Sequence, residues 1–282
     1  MTLPRLSSLI VDDAVARALK EDIGDAGDIT TNATIPADAT SRAVIAARKP
    51  GAIAGIDAAL AAFRIVDPAI SVTVESSDGA RVEKGDIVLV LDGPSRGILS
   101  AERVALNFLS HLSGVATATA ALVDAVKGTT AKIVCTRKTT PGLRAFEKHA
   151  VRCGGGSNHR FGLYDAVMIK DNHIAAAGGI ADALAAAKAA LGHMVKIEIE
   201  IDRLDQLEEA LGGGADVVLL DNMSADDLKR AVSVNNGRAT LEASGNVTAA
   251  TVRAIAETGV DVISSGWITH SAPSLDLGLD FI

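Results

Sequence analysis

The sequence predicts an α/β protein: its second half builds an incomplete α/β barrel, and its first hundred or so residues build an antiparallel sheet region. Three observations lead there. From about residue 130 onward, short β-branched runs alternate with Ala- and Leu-rich stretches of helical period, as expected for βα units around a parallel sheet. Six such runs occur, short of the eight strands of a full barrel. Ahead of them, alternating apolar and polar segments are separated by turns containing Gly, Pro and Asp, as in an antiparallel sheet.

Taken in chain order, strands are expected at Arg42–Arg48, Ser71–Glu75 and Ile87–Leu91. The run Asp78–Asp86 superficially resembles half of a lipoyl- or biotin-carrier hairpin, but no Met-Lys or Asp-Lys dipeptide sits at a second tip, so it reads as a plain turn. A long, mostly apolar helical stretch, Ser100–Lys127, joins the two regions. The barrel strands follow at Lys132–Lys138, Ala166–Asn172, Val195–Glu200, Asp216–Asn222, Ala239–Gly245 and Asp261–Gly266. Helices lie between them at Pro141–Val151, Ile180–Leu191, Leu204–Leu211, Ala225–Val234 and Ala249–Glu257, with Ser224 and Thr248 placed to cap two of them.

Composition excludes several classes of function. The net charge of −8 argues against nonspecific binding to nucleic acid or anionic lipid. No apolar run approaches the ~20 residues that cross a bilayer. Met1-Thr2-Leu3-Pro4-Arg5 lacks the parts of a signal peptide, so a cytoplasmic protein is expected. Cys135 and Cys153 are too few and too oddly spaced for a disulfide framework or a zinc site.

The average charge hides an asymmetry. Between Thr136 and His173 there are seven lysines and arginines against three acids, and three of the six histidines fall in the same segment. A basic island in an acidic chain suggests a site for a small polyanion. Active sites of parallel barrels lie at the C-terminal ends of the strands, and here those ends are polar: Thr136-Arg137-Lys138, Lys170-Asp171-Asn172, Glu198-Ile199-Glu200, Asp221-Asn222, Ser244-Gly245-Asn246 and Ser264-Ser265-Gly266.

Arg137, Lys138, His159, Arg160 and Lys170 are read as ligands of an anion, because a guanidinium grips a carboxylate or phosphate bidentately and a lysine acts as a point charge. Lys148 and Arg152 are read as part of a solvated helix face. Glu200 and Asp221 could hold Mg2+, directly or through water, or could meet ribose hydroxyls or positive charge at a sugar carbon. Glu198 is expected to face away from Glu200. The two Ser-Gly ends, on the last two strands, suit a phosphate.

These residues carry a resemblance. Thr136-Arg137-Lys138-Thr139-Thr140-Pro141-Gly142-Leu143-Arg144, Cys153-Gly154-Gly155-Gly156-Ser157-Asn158-His159-Arg160, Gly162-Leu163-Tyr164-Asp165 and Ile169-Lys170-Asp171-Asn172-His173 are similar to the signatures of quinolinate phosphoribosyltransferases. So are Glu200, Leu220-Asp221-Asn222, Leu241-Glu242-Ala243-Ser244-Gly245 and Thr269-His270-Ser271. Glu21-Asp22, Gly27-Asp28-Ile29-Thr30-Thr31 and Ala101-Glu102-Arg103-Val104-Ala105-Leu106-Asn107 extend the match over nearly the whole chain.

The resemblance implies an N-terminal α/β sandwich at 1–112 and a six- to seven-stranded barrel at 113–267, with the tail 268–282 packing back on the sandwich. It also implies a homodimer in which Arg103 reaches the neighbouring active site. Thr136, Arg137, Lys138, His159, Arg160 and Lys170 would line the pocket for quinolinate and pyrophosphate. Glu200 and Asp221 would face ribose and Mg2+. The loops holding Ser244, Gly245 and Asn246, and Ser265, Gly266 and Trp267, would take the 5′-phosphate. Asn246 departs from the family, which more often has a second glycine there; Asn tolerates positive φ better than most residues. The implied reaction joins quinolinate to phosphoribosyl pyrophosphate with loss of CO2, a step of NAD biosynthesis, and Lys138, Lys170, Glu200 and Asp221 would do the catalysis. Two rivals stand beside this reading: a relative of the same fold associated with molybdenum transport, and a non-catalytic polyanion-binding protein.

Overall fold

Apolar burial organises the first of two structural units, which comprises the chain up to Ala120 together with Thr140–Gly155 and Ser271–Ile282. The structure is a computed structural model that describes residues 5–282, so the first four residues of the N-terminal stretch read above lie outside it. Its helices α1 (Ser8–Ile23) and α2 (Ile29–Thr34) precede β1 (Thr40–Ala47), and β2 (Gly51–Ala52), α3 (Ile56–Val66), β3 (Ser71–Val74), β4 (Arg81–Val82) and β5 (Ile87–Pro94) follow. The sequence predicts β1, β3 and β5 but not the helices, nor the two-residue strands β2 and β4, the latter lying inside the expected turn Asp78–Asp86. The helical signal is visible in α1, whose buried residues Val11, Ala14, Val15 and Leu19 recur at helical spacing. Asp28 caps α2 by accepting a hydrogen bond from the Thr31 backbone N–H at 2.9 Å.

The antiparallel sheet runs β12-β1-β5-β3, with β12 (Leu277–Phe281) supplied by the C-terminal tail. Residues Ala43 to Ala47 of β1 and Val88 to Leu91 of β5 are all buried, so the two central strands are covered on both faces. The alternation expected from the sequence therefore does not appear as alternating burial. α4 (Ser95–Ala125) is long and apolar enough by composition to cross a membrane, but 61% of its apolar window is buried inside the protein, as in a core helix.

α5 (Arg144–Cys153) also belongs to this unit, and its residues Phe146 through Val151 are all buried. The expected solvated face holds for exposed Arg152 and fails for Lys148, which is fully buried. The contacts of α5 explain why the unit extends past the boundary at 112 and takes in part of 113–267. Phe146 packs on Phe108 with ring centroids 5.5 Å apart. Buried Glu147 accepts from the Thr140 backbone N–H at 3.1 Å and meets His111 Nε2 at 2.8 Å. Gly154, at the end of α5, lies so close to α4 that a Cβ there would stand 2.4 Å from the Ala116 carbonyl oxygen.

The second unit comprises Ala121–Thr139 and Gly156–His270. Its strands are β6 (Lys132–Val134), β7 (Val167–Ile169), β8 (Ile197–Ile201), β9 (Val217–Asp221), β10 (Thr240–Ser244) and β11 (Val262–Ser264). They form one parallel sheet in the order β6-β11-β10-β9-β8-β7. The order is that of a barrel left open between β6 and β7. Beside β6 runs the segment containing Ser157, which makes a single parallel bridge to Val134. Between the strands lie α6 (Asp171–Ala177), α7 (Ile180–Ala190), a 3-10 turn (Leu204–Gln206) leading into α8 (Leu207–Gly212), α9 (Ala225–Asn235) and α10 (Val252–Ala256), and α11 (Trp267–His270) ends the unit. Ser224 caps α9, its Oγ accepting from Asp227 N–H at 3.1 Å.

Five of the six strands end sooner than expected, and β8 runs one residue past Glu200. Thr136-Arg137-Lys138 lies in the loop after β6, and Asp171-Asn172 already belongs to α6. The register levels the remaining ends: Ser244 pairs with Asp221, and Ser264 with Val134. One rim of the sheet therefore gathers them.

Gly154→Ala should lower unfolding free energy by about 1–3 kcal/mol, the usual range for an atom forced into packed structure. Gly192→Ala, whose new Cβ would meet nothing within 4 Å, should stay within about 0.5 kcal/mol of the parent. Urea unfolding of both variants checks this, and equal stabilities would contradict the close approach of α5 to α4.

Candidate active site

The levelled strand ends surround a cavity of about 630 Å3 within the second unit. All but one of the site residues expected from the sequence line it: Thr136, Arg137, Lys138, His159, Arg160, Lys170, Glu200, Asp221, Ser244, Gly245, Asn246, Ser265, Gly266 and Trp267. The exception is Arg103, which is exposed on α4.

The alternation of a strand accounts for most of what sequence reasoning missed; Val247 and His270 also line the cavity but lie beyond the strands. Residues two apart on a strand share a face, so the residue two before each rim position also points inward. Met168 lies below Lys170, Leu219 below Asp221, Glu242 below Ser244 and Ser264 below Gly266, and all four line the cavity. The same rule corrects the expectation for Glu198, which faces the same side as Glu200. Glu198 is buried against His159, with Oε2 2.9 Å from the ring Nε2.

Arg137 and Arg160 stand together on one side. Burial, and then the charge of Arg137, lower the pKa of the Arg160 guanidinium. Arg160 Nη1 donates to the Ala166 carbonyl at 2.9 Å. The Nε of each arginine is buried without a partner. Buried polar atoms are ordinarily paired, so both point to an anionic ligand.

His159 lines the same side, but its nitrogens are engaged within the protein. Nδ1 accepts from the Arg160 backbone N–H at 2.8 Å, which leaves the ring hydrogen on Nε2, directed at Glu198. Glu242 Oε2 lies 3.7 Å from the same Nε2. Burial, and then the charge of Glu198, push the Glu242 carboxyl up to about 7.

Across the cavity, Lys170 Nζ meets Glu200 Oε2 at 2.5 Å. The lysine expected among free anion-binding cations is thus paired with the acid expected to face ribose. Asp221 accepts from Asn222 Nδ2 at 2.8 Å. Asn222 and Asn246 have φ of 54° and 50° and touch through Asn246 Nδ2 and Asn222 Oδ1 at 3.3 Å. Between them in space, Gly245 has φ +97°, and a Cβ there would lie 2.1 Å from Asn222 Oδ1. At this turn only glycine fits, and Asn246 holds the left-handed backbone expected for it. A Cβ on Gly266 would come within 2.9 Å of Lys138 Cδ, so that loop too passes close to the cationic side.

Fold and site together define a parallel α/β-barrel protein with a polar cavity where guanidiniums face carboxylates. The chain belongs to the quinolinate phosphoribosyltransferase family: the models of that enzyme's N-terminal and C-terminal domains match residues 28–113 and 115–280. It is 45% identical to the nicotinate-nucleotide pyrophosphorylase (carboxylating) of Mycobacterium leprae, over 95% of this chain and 96% of that one. It is 44% identical to the quinolinate phosphoribosyltransferase (decarboxylating) 1b of Nicotiana tabacum, over 93% of this chain and 79% of that one. The solved structure of nicotinate-nucleotide pyrophosphorylase from Francisella tularensis superposes with a TM-score of 0.95 at 41% identity, covering 100% of this chain and 99% of the other.

The buried Glu242 makes stability depend on pH. Its carboxyl titrates at about 7 in the folded protein against 4.5 ordinarily, so the folded state holds this proton more tightly. The associated stability is fully present below 4.5 and is lost as pH rises through about 7. Glu242→Gln should remove that loss and be the more stable protein at pH 8, by a difference on the order of 3 kcal/mol. Urea midpoints across this pH range check it, and parallel curves for the two proteins would contradict it.

Proposed function

We propose that this chain catalyses phosphoribosyl transfer from phosphoribosyl pyrophosphate to quinolinate with decarboxylation, forming nicotinate mononucleotide, CO2 and pyrophosphate. The observation that carries this reading is the pair Arg137 and Arg160, side by side with buried, unpartnered Nε atoms. Two guanidiniums suit a dicarboxylate better than a single carboxylate, because each can form a bidentate pair. The relatives named above bear the names of enzymes of this reaction.

The side chains divide the work. Arg137 and Arg160 bind the carboxylates of quinolinate and orient the ring nitrogen toward C1 of the ribose. Lys138, exposed at the mouth, meets the charge that develops on the leaving pyrophosphate. Lys170 does the same once substrate competes with Glu200 for its ammonium. The turns at Ser244-Gly245-Asn246 and Ser265-Gly266-Trp267 take the 5′-phosphate, the glycines allowing backbone N–H groups to approach. Loss of pyrophosphate gives C1 oxocarbenium character, which the Glu200 and Asp221 carboxylates stabilise. Attack by the pyridine nitrogen leaves a cationic ring, whose charge stabilises the electron pair left on the adjacent ring carbon as CO2 departs, and a proton from water then completes that carbon.

Glu200 and Asp221 also suit Mg2+: both are half-buried carboxylates on neighbouring strands facing one cavity, and oxygen donors few in number are what this ion takes. Held there by Glu200 and Asp221, directly or through water, Mg2+ would supply positive charge to the pyrophosphate oxygens. The enzyme works as a cytoplasmic homodimer in which Arg103 serves the neighbouring subunit's site. The exposure of Arg103 on α4 supports this role.

Incubation with quinolinate, phosphoribosyl pyrophosphate and Mg2+ should give nicotinate mononucleotide, identified by mass, with nicotinate a far poorer substrate. Equal turnover of nicotinate would overturn the substrate assignment. Absence of turnover would leave the molybdenum-associated or polyanion-binding reading in its place.

Arg103→Ala and Lys138→Ala should each be inactive yet folded. After subunit exchange, their mixture should regain part of the parent activity, because one site of each heterodimer then carries both native residues. No recovery despite demonstrated exchange would place Arg103 in its own chain's site.

A further inference from the structure

The first unit brings together three side chains that the reaction does not use. Asp78 lies in the turn between β3 and β4. His149 and Cys153 are one helical turn apart on α5, and residues at that spacing share a face. One donor atom from each residue lies within 4.8 Å of the other two. His149 Nε2 is 2.8 Å from Asp78 Oδ2. The other carboxylate oxygen, Oδ1, accepts from the Ile56 backbone N–H at 3.1 Å, which fixes the carboxylate. The cluster is nearly closed to solvent: the His149 side chain is 9% exposed and that of Asp78 17%, so the carboxylate marks the way in.

We propose that Asp78, His149 and Cys153 form a binding site for one Zn2+ ion, with water as the fourth ligand. The donor set selects the metal. A thiolate sulfur and an imidazole nitrogen favour zinc over Mg2+ or Ca2+, which prefer oxygen alone. Charge also favours it: a divalent ion with one carboxylate, one thiolate and a neutral imidazole is electrically neutral, so little net charge is buried. Zinc–ligand lengths of ~2.0 Å to N and O and ~2.3 Å to S put tetrahedral donors roughly 3.3–3.6 Å apart. The His149–Asp78 pair must therefore open by about half an ångström and Cys153 Sγ must swing inward, which side-chain rotation supplies.

Binding balances in protons. The Cys153 thiol releases one proton to solvent as the Zn–S bond forms, and the imidazole hydrogen moves from Nε2 to Nδ1, leaving the Nε2 lone pair for the metal. Without a cation, burial and the nearby Asp78 charge keep the thiol protonated. The cysteine spacing that argued against zinc in the sequence does not bear on this site, which uses a single cysteine and a carboxylate 71 residues ahead of the histidine.

The test uses the full-length protein, stripped of metal with a chelator and titrated with Co2+. One equivalent of Co2+ per chain should produce thiolate-to-cobalt charge-transfer absorption and intense tetrahedral ligand-field bands, and one equivalent of Zn2+ should abolish both. Cys153→Ala should lose the charge-transfer band, and Cys135→Ala should retain it. His149→Ala should weaken zinc binding roughly 100-fold or more, and zinc should raise the Tm of the parent but not of these two cluster variants. Co2+ held by the cavity carboxylates Glu200 and Asp221 would give no thiolate band, so the two sites are distinguishable. No thiolate band in the parent, or a band that survives Cys153→Ala, would overturn the proposal and leave a His149–Asp78 ion pair beside an inert thiol. If Cys153→Ala does not fold, Cys153→Ser serves instead, with the same loss of the charge-transfer band expected.

Discussion

Arg137 and Arg160 repel one another, and the chain holds them together in a partly dehydrated place. Burial and the neighbouring guanidinium both act against the charge on Arg160. Such a pair exists at the expense of stability, since like charges in low dielectric raise each other's free energy. The arrangement persists because the surrounding structure fixes it: the Ala166 carbonyl holds one end of the Arg160 guanidinium, and His159 Nδ1 holds its backbone N–H. Under the proposed function, an arriving dicarboxylate would form its bonds with groups already in place, so little ordering entropy would be lost on binding.

The acids below this pair make it tolerable. Glu198 acts favourably on the charge of Arg160, and Glu242 lies behind it on the adjoining part of the barrel floor. Two carboxylates so close cannot both ionise freely, and Glu242 is the one pushed toward its protonated form. The floor therefore carries less negative charge than two free carboxylates would bring. Glu200 and Lys170 neutralise each other at the rim in the same way. Of the cations expected to be available to an anion, Lys170 is instead held by Glu200.

The barrel was readable because its strands are continuous apolar runs ending in polar groups; Val217 to Leu220, ahead of Asp221, has one plausible reading. The rim residues were readable for the same reason. The floor was not, because Glu242 and Glu198 look like ordinary polar interruptions until strand alternation is applied two residues inward from the rim. Of the helices ahead of α4, α1 carries a readable apolar stripe, whereas α3 is masked by alanine, which fills it at Ala58, Ala59, Ala61 and Ala62. Lys148 was assigned to solvent because a lysine on an amphipathic-looking helix is ordinarily solvated, and no local pattern shows that Phe146 through Val151 are all buried. Asn246 was legible in one respect, its positive φ, but its contact with Asn222 depends on a strand pairing that no local pattern reveals.

Two histidines each sit among groups able to bind a metal, and hydrogen position separates them. Around His159 the donors are Glu198 and Glu242, whose Oε1 atoms are buried and unpartnered, so at first sight it is the better site. Its Nδ1, however, accepts from a backbone N–H that cannot move away, and a metal on Nε2 would require Nδ1 to carry hydrogen instead. That exchange would set two N–H groups against each other, at the loss of the contact that steadies Arg160. The upward shift of Glu242 therefore relieves the clash of the two carboxylates without disturbing the imidazole. At His149 the bond to Asp78 is made through Nε2, the same atom a metal would take, and replacing a shared hydrogen by an ion between the two residues keeps the geometry nearly intact. The thiol of Cys153 then supplies the second negative charge that makes the exchange electrically neutral.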